Sequence, residues 1–162
     1  MADNTYTVTR LAEEIHENIF DEDDTLMTVS RIEAWLAANI GSLNTLIHSS
    51  FDSEFASPDS DVYVFGYEEA SIYTQVYLED YYKKLARRVI QGSFSVTGVT
   101  MSEWTKIVEG DTTIERKAIS PADASRAYAA LAKQAAEKVI DLVGRYNRHA
   151  AKPRQVNVKN SA

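Results

Sequence analysis

Glu13 and His16 are the residues whose types and spacing come closest to a metal site in this sequence. A Glu-x-x-His spacing places both side chains on one face of a helix, and di-metal helical bundles need two such pairs plus two further carboxylates. The sequence contains no second Glu-x-x-His pair. We therefore interpret His16 as a solvent-facing histidine, and we expect neither a metal nor another cofactor.

An acidic run, Asp21-Glu22-Asp23-Asp24, is the second candidate for a metal site. Calcium loops place carboxylates at alternate positions, a glycine at position six and a bidentate glutamate at position twelve. Counted from Asp21, those two positions hold Leu26 and Ile32. The run is better interpreted as an acidic linker that also favours the N-terminus of the helix after it.

Catalytic signatures are absent from the rest of the sequence. There is no cysteine, so a thiolate nucleophile, a disulfide and a cysteine metal site are excluded. The six glycines are isolated from one another, which excludes phosphate-binding loops, dinucleotide fingerprints and nucleophile elbows. We expect no enzymatic activity.

The length and composition predict one helical domain over residues 1–149 and an extended tail over residues 150–162. A chain of 162 residues with 44% hydrophobic content is long enough for one well-formed core. No stretch approaches the length of a membrane span, and the N-terminus lacks the pattern of an export signal. We therefore expect no membrane association.

Charge is distributed unevenly along the chain. Residues 1–80 hold seventeen acidic and two basic side chains, a net of −15, whereas the remaining residues hold seven acidic and fifteen basic ones, a net of +8. Such separation favours head-to-tail packing of identical subunits or different partners at the two ends. The alternative is that acidic loops simply solvate one end of the protein.

Apolar periodicity predicts a mainly α fold, a bundle of about four helices near residues 9–19, 28–48, 66–91 and 120–148. Thr7 or Thr9 can cap the first helix, and the second is expected to begin near Thr28 or Ser30, with Ser30 and Glu33 spaced as a capping box. Gly41 is expected to break or bend the second helix, since glycine costs about 1 kcal/mol in a helix interior. The predicted buried positions of the second helix are Ile32, Leu36, Ile40, Leu43 and Ile47.

The last two predicted helices have the strongest sequence patterns of helix formation, in apolar periodicity and in helix-start residues. The third is rich in tyrosine, which at helical spacing is more typical of a core than of a platform for nucleic-acid bases. The fourth begins with Ser120 as N-cap, Pro121 at the first helical position and Asp123 in the first turn. The predicted buried positions of these helices are Tyr67, Ala70, Thr74, Tyr77, Tyr81, Leu85 and Val89, with Ile72, Tyr73, Val76 and Tyr82 widening that face, then Ala124, Tyr128, Leu131, Ala135, Val139, Leu142 and Tyr146.

A short β-hairpin is predicted at about residues 104–117, with its turn at Gly110-Asp111. A lone hairpin is marginally stable, so it needs another subunit or a partner protein to lie against. The tail contains Lys152, Pro153 and Arg154 and no acidic residue. Its proline prevents helix continuation, and the alternating valines at positions 156 and 158 suit a strand that attaches to a partner.

The order of these features resembles the head-to-tail connector proteins of tailed bacteriophages. The resemblance depends on the segment I-V-E-G-D-T-T-I-E-R, residues 107–116, on the final helix that contains Leu142 and Tyr146, and on the basic tail. The segment W-L-A-A-N-I-G-S-L-N-T-L-I, residues 35–47, is similar to the first half of some phage neck proteins.

This resemblance implies a virion protein, made in the bacterial host cytoplasm, that forms a dodecameric ring between the portal and the tail or neck terminator proteins. DNA would pass through its channel without tight binding. The implied surfaces are a tail that binds the portal or a neighbour (Arg148, Lys152, Pro153, Arg154, Val156 and Val158), an inter-subunit hairpin (Ile107, Gly110, Asp111, Thr112 and Ile114) and an acidic channel wall (Asp21, Glu22, Asp23 and Asp24). The alternative is a small helical protein-binding or regulatory module outside any virion.

Overall fold

The computed structural model describes residues 5–20, 27–58, 64–91, 106–109, 112–115 and 121–150. These residues contain the helices α1 (Val8–Ile19), α2 (Val29–Ile47), α3 (Tyr67–Ile90) and α4 (Pro121–Ala150), and the strands β1 (Lys106–Glu109) and β2 (Thr112–Glu115). The protein is mainly helical, as the apolar periodicity predicts. None of the helices in the described ranges is both long enough and apolar enough to cross a membrane.

The chain divides into two compact units. Unit 1 contains residues 1–74 and 138–162, and unit 2 contains residues 75–137. Helices α3 and α4 each begin in one unit and end in the other. The prediction of a tail over residues 150–162 lies outside the described residues, apart from the backbone of Ala150 at the end of α4.

Helix α1 begins as predicted, because the Thr7 hydroxyl accepts a hydrogen bond from the backbone N–H of Arg10 at 3.2 Å. Its buried residues are Leu11, Ala12 and Ile15, and it packs against α2. The expected burial of the five apolar positions of α2, from Ile32 to Ile47, is confirmed. These two apolar faces form one side of the core of unit 1.

Helix α2 starts at the first of its two predicted positions, since Thr28 is the N-cap, although the Thr28 side chain makes no capping hydrogen bond. The predicted capping box is wrong, because Ser30 lies inside the helix. The predicted break at Gly41 is also wrong, because the helix continues through Gly41 to Ile47. Burial of Ile40 and Leu43 on either side of the glycine stabilises the helix by more than the intrinsic cost of glycine.

Substitution of Gly41 by alanine is therefore expected to stabilise the protein by about 1 kcal/mol, since it removes the helix penalty of glycine. A Cβ atom at Gly41 would meet no other atom within 4 Å. Urea denaturation of the wild-type and G41A proteins measures the difference. Ser42→Ala, at the exposed neighbouring position, is the matched control; a destabilised G41A variant would contradict the expectation.

An aromatic cluster completes the core of unit 1. Phe65 is 1% exposed, and its ring stacks on Phe55 with centroids 4.0 Å apart and meets Phe51 edge-on at 5.2 Å. Tyr73 is fully buried and donates its hydroxyl proton to the carbonyl of Leu36. Burial raises the pKa of Tyr73, so this hydroxyl stays neutral and remains a donor.

The loop after α2 is held in place by side-chain hydrogen bonds. Asn44 donates to the carbonyl of Phe51 at 2.7 Å and accepts from the backbone N–H of Phe51 at 3.0 Å. The carboxylate of Asp52 accepts from the backbone N–H groups of Glu54 and Ala56 at 2.8 and 2.9 Å. These contacts hold Phe55 in a left-handed backbone conformation with φ 67°. The sequence predicts a loop here, but not that its two phenylalanines enter the core.

Unit 2 contains the end of α3, the two strands and the start of α4. Tyr77, Leu85 and Val89 of α3 are buried, as are Ala132 and Ala135 of α4. The hydroxyl of Ser125 donates to the carbonyl of Ala86 at 3.1 Å, which joins the two helices. The strands pair antiparallel, with Ile107 opposite Ile114 and Glu109 opposite Thr112.

Two of the predicted buried positions of α3 and α4 are exposed. Tyr67 is 70% exposed and Leu131 is 39% exposed, whereas Ala132, which the predicted face of α4 does not include, is buried. The expected burial of Ile72 and Tyr73, at the edge of the predicted face of α3, is confirmed. The apolar stripe of a helix covers about 100° of its circumference. Residues at the edge of the stripe are therefore buried or exposed according to where the neighbouring element contacts the helix. Burial of Ala70, Tyr77, Leu85, Val89, Ala135 and Val139 is confirmed.

Candidate functional site

A pocket of about 420 Å³ lies in unit 1, between the first two turns of α3 and the last turns of α4. Tyr67, Glu68, Ser71 and Ile72 line it from α3. The other lining residues belong to α4 and are Leu142, Arg145, Tyr146 and His149. Its volume falls within the range of about 300–1,000 Å³ that is typical of ligand sites in proteins.

A hydrogen-bond network around Glu69 holds the two helix ends together. The buried carboxylate of Glu69 accepts from the hydroxyl of Tyr146 at 2.7 Å and from the backbone N–H of Gly66 at 2.9 Å. The second contact satisfies a backbone donor at the start of α3. The side-chain amide of Asn147 donates to the carbonyl of Leu46 at 3.2 Å. These contacts fix the last turns of α4 against the start of α3 and against α2.

The rim of the pocket carries both signs of charge. Glu68 is exposed on the α3 side. Arg145, on the α4 side, makes two contacts with Asp141, at 3.2 Å through Nε and at 2.8 Å through the terminal nitrogen. This ion pair is exposed to solvent, which limits its contribution to stability. The pocket therefore has an accessible apolar lining of tyrosine and leucine, an exposed carboxylate at its edge and an arginine that is paired with Asp141.

Removal of the Tyr146 hydroxyl, as in Tyr146→Phe, is expected to destabilise the protein by about 1–3 kcal/mol, because the buried carboxylate of Glu69 loses a donor. Chemical denaturation followed by circular dichroism measures the change.

Tyr82→Phe is the matched control, since the Tyr82 hydroxyl makes no hydrogen bond within the described ranges. If Y146F and Y82F have equal stabilities, the Glu69 network does not hold α4 in place.

The sequence-predicted surfaces are only partly described by the structure. Arg148 is exposed in the last turn of α4, and its Nε donates to the carbonyl of Gly144 at 2.9 Å. Ile107 lies in β1, and Thr112 and Ile114 lie in β2. The other predicted site residues lie outside the described residues: Asp21, Glu22, Asp23, Asp24, Gly110, Asp111, Lys152, Pro153, Arg154, Val156 and Val158.

Sequence reasoning missed the pocket and the role of Glu69. One sequence signal was present: Gly66 and Glu69 have the spacing of a helix-start motif in which a glutamate accepts from the N-cap backbone. His16, the candidate metal ligand, is half-buried in α1. Within the described ranges, no group of three or more acidic or histidine side chains is arranged to hold a metal ion.

Comparison of this chain with protein-family models, with curated proteins and with solved structures gave no match in any of the three cases.

Proposed function

We propose that this chain is a structural, non-catalytic virion protein that forms a ring-shaped head-to-tail connector in a bacteriophage. The ring has the twelve-fold symmetry of a portal, contacts the portal on one side and tail or neck terminator proteins on the other, and surrounds a channel for DNA. Within the subunit, we propose a helical bundle that carries one short hairpin and an extended C-terminal tail as its contact elements.

The observation that carries the proposal is the opposition of charge at the end of α4. Residues 1–74 and 138–150 of unit 1 hold sixteen acidic and five basic side chains, a net of −11. Residues 151–162, which follow α4 directly, hold three basic side chains and no acidic one. Two oppositely charged, different surfaces on one chain favour a head-to-tail contact between copies, and such contacts close into rings.

The acidic part also suits a channel through which duplex DNA slides. Glu13 and Glu17 are exposed on α1, and the run Asp21–Asp24 follows the end of this helix in the sequence. Phosphate-neutralising contacts would hold the DNA, whereas like charge leaves it free to move. We propose that this acidic face contributes to the channel wall.

The strands supply a second contact element. In the part of the chain that the structure describes, β1 and β2 form a two-stranded sheet, so each strand has one edge without a strand partner there. Such edges pair readily with another chain. We propose that this hairpin lies against the neighbouring subunit or a tail protein.

Electron microscopy of the purified protein, alone and with the portal protein of the same phage, tests the proposal. We expect closed rings, and we expect them to weaken at high salt because screening shortens the range of charge attraction. Reversal of the charges of Lys152 and Arg154 to glutamate should prevent ring formation. The control is the same reversal at Lys133 and Lys138, which are exposed on α4.

A protein that stays monomeric both alone and with the portal would overturn the connector proposal. That result would favour the alternative, a small helical protein-binding module. If rings form despite charge reversal at Lys152 and Arg154, the connector proposal stands, but the tail does not take part in the contacts between subunits.

A further inference from the structure

We infer that the pocket between the start of α3 and the end of α4 is a docking groove for the C-terminal segment of the same chain, residues 151–162. This inference does not depend on the ring proposal, since it concerns the free subunit. The lining residues, the length and the charge of the pocket match those of the C-terminal segment.

The lining of the pocket suits the apolar side chains of an extended segment. Leu142 and the rings of Tyr67 and Tyr146 give the pocket its accessible apolar surface, and the fully buried Ile72 lies beneath them. Tyr67 is 70% exposed, an unusual position for a large side chain beside an apolar cavity. In the C-terminal segment, valines 156 and 158 alternate with polar residues, the pattern of an extended segment that places alternate side chains in a groove.

The C-terminal segment is long enough to reach the pocket. The pocket extends from Leu142 to His149, about 10 Å along the helix axis, and α4 ends one residue later at Ala150. Twelve further residues can span up to about 40 Å. Residues 151–155 are enough to return along α4, which leaves Val156 and Val158 at the pocket. A proline disfavours helix continuation, so the presence of Pro153 in the sequence is compatible with such a reversal.

The C-terminal segment and the rest of unit 1 carry formal charges of opposite sign. The segment has a formal charge of +3 from Lys152, Arg154 and Lys159, and the rest of unit 1 has −11. At the pocket itself, Glu68 is an exposed carboxylate, and Arg145 forms an ion pair with Asp141. A tethered segment also has a high effective concentration, in the millimolar range for a short linker, so a weak interaction suffices to dock it.

Site-specific photo-cross-linking of the full-length protein tests the inference. With p-benzoylphenylalanine in place of Val156, we expect irradiation to join the segment to residues 67–72 or 142–149 of the same chain, as identified by mass spectrometry. The yield should not change across a dilution series, because the reaction is intramolecular. Cross-links between two chains at all dilutions, or to other parts of the protein, would overturn the inference.

Matched variants show whether the pocket holds the segment. Val158→Asp should lower the docking equilibrium roughly tenfold, the loss expected when a valine side chain is no longer buried, whereas Asn157→Asp adds the same charge with a smaller effect. Ser71→Trp fills the pocket and should abolish the cross-link. Ser42→Trp, at an exposed position of α2, is its control. Equal yields in V158D and N157D, or in S71W and S42W, would refute the pocket as the docking groove.

Discussion

Replacement of Phe65 by alanine is expected to lower the free energy of unfolding by about 3–5 kcal/mol. This side chain is 1% exposed and lies between the ring of Phe55, the edge of Phe51 and Tyr73. The loss of stability has two parts. The burial of a large apolar side chain is lost, and a cavity remains that the three surrounding rings, held in place by close packing, cannot fill. Urea denaturation followed by far-ultraviolet circular dichroism measures it.

Val64→Ala is the matched control for F65A, because Val64 precedes Phe65 and is 54% exposed. Its effect should stay within about 0.5 kcal/mol, as for most surface substitutions. A domain typically has only about 5–15 kcal/mol of stability, so the F65A variant should be partly unfolded at moderate temperature. An F65A protein as stable as V64A would show that the aromatic cluster is not the centre of the core.

Deletion of residues 151–162 is expected to abolish assembly into rings and attachment to the portal, with little change in helical content. The buried residues of all four helices lie before residue 151, so the deletion leaves the described core intact. The segment instead supplies the basic charge that complements the acidic unit 1. Circular dichroism measures the helical content, and sedimentation velocity or electron microscopy measures assembly.

The matched control for this deletion is replacement of residues 151–162 by a glycine-serine segment of equal length, which keeps the chain length but removes charge and valine. It should fail to assemble, like the deletion. Ring formation by either variant would show that the C-terminal segment is a solubilising end. That outcome leaves the cross-linking result of the free subunit unaffected, so the two proposals can fail separately.

Docking of the segment in its own subunit would also affect the order of assembly. A segment held in the groove of a free subunit is withheld from other partners, and a neighbour or portal must compete with it. The S71W variant, which fills the groove and leaves the segment unchanged, separates the two equilibria: it should weaken docking in the free subunit without removing a residue of the proposed ring contact. In the two proposals taken together, the groove and the ring contact compete for one segment of twelve residues.

The sequence by itself determined the helical class and the approximate helix positions. Apolar residues at steps of three and four predict all four described helices, because the period of 3.6 residues is a property of the backbone and needs no tertiary information. The Thr7 cap and the start of α4 at Pro121 are equally local, since capping involves residues within one turn. The buried stripe of α2 was predictable for the same reason.

Only the tertiary structure decided which residues at the edges of these stripes are buried. Periodicity cannot distinguish Leu131 from Ala132, since the contact line depends on the position of the neighbouring element. It also cannot show that packing around Ile40 and Leu43 keeps α2 continuous through Gly41.

The same holds for contacts between residues far apart in the chain. The entry of Phe51 and Phe55 into the core and the pocket between α3 and α4 depend on residues far apart in the sequence. The hydrogen bond from Tyr146 to Glu69 joins residues that are 77 positions apart. No local pattern encodes such pairs, because they arise only when separate helices are brought together. The candidate groove is therefore a feature of the packed chain, while the charge and alternation of the segment that we assign to it were already present in the sequence.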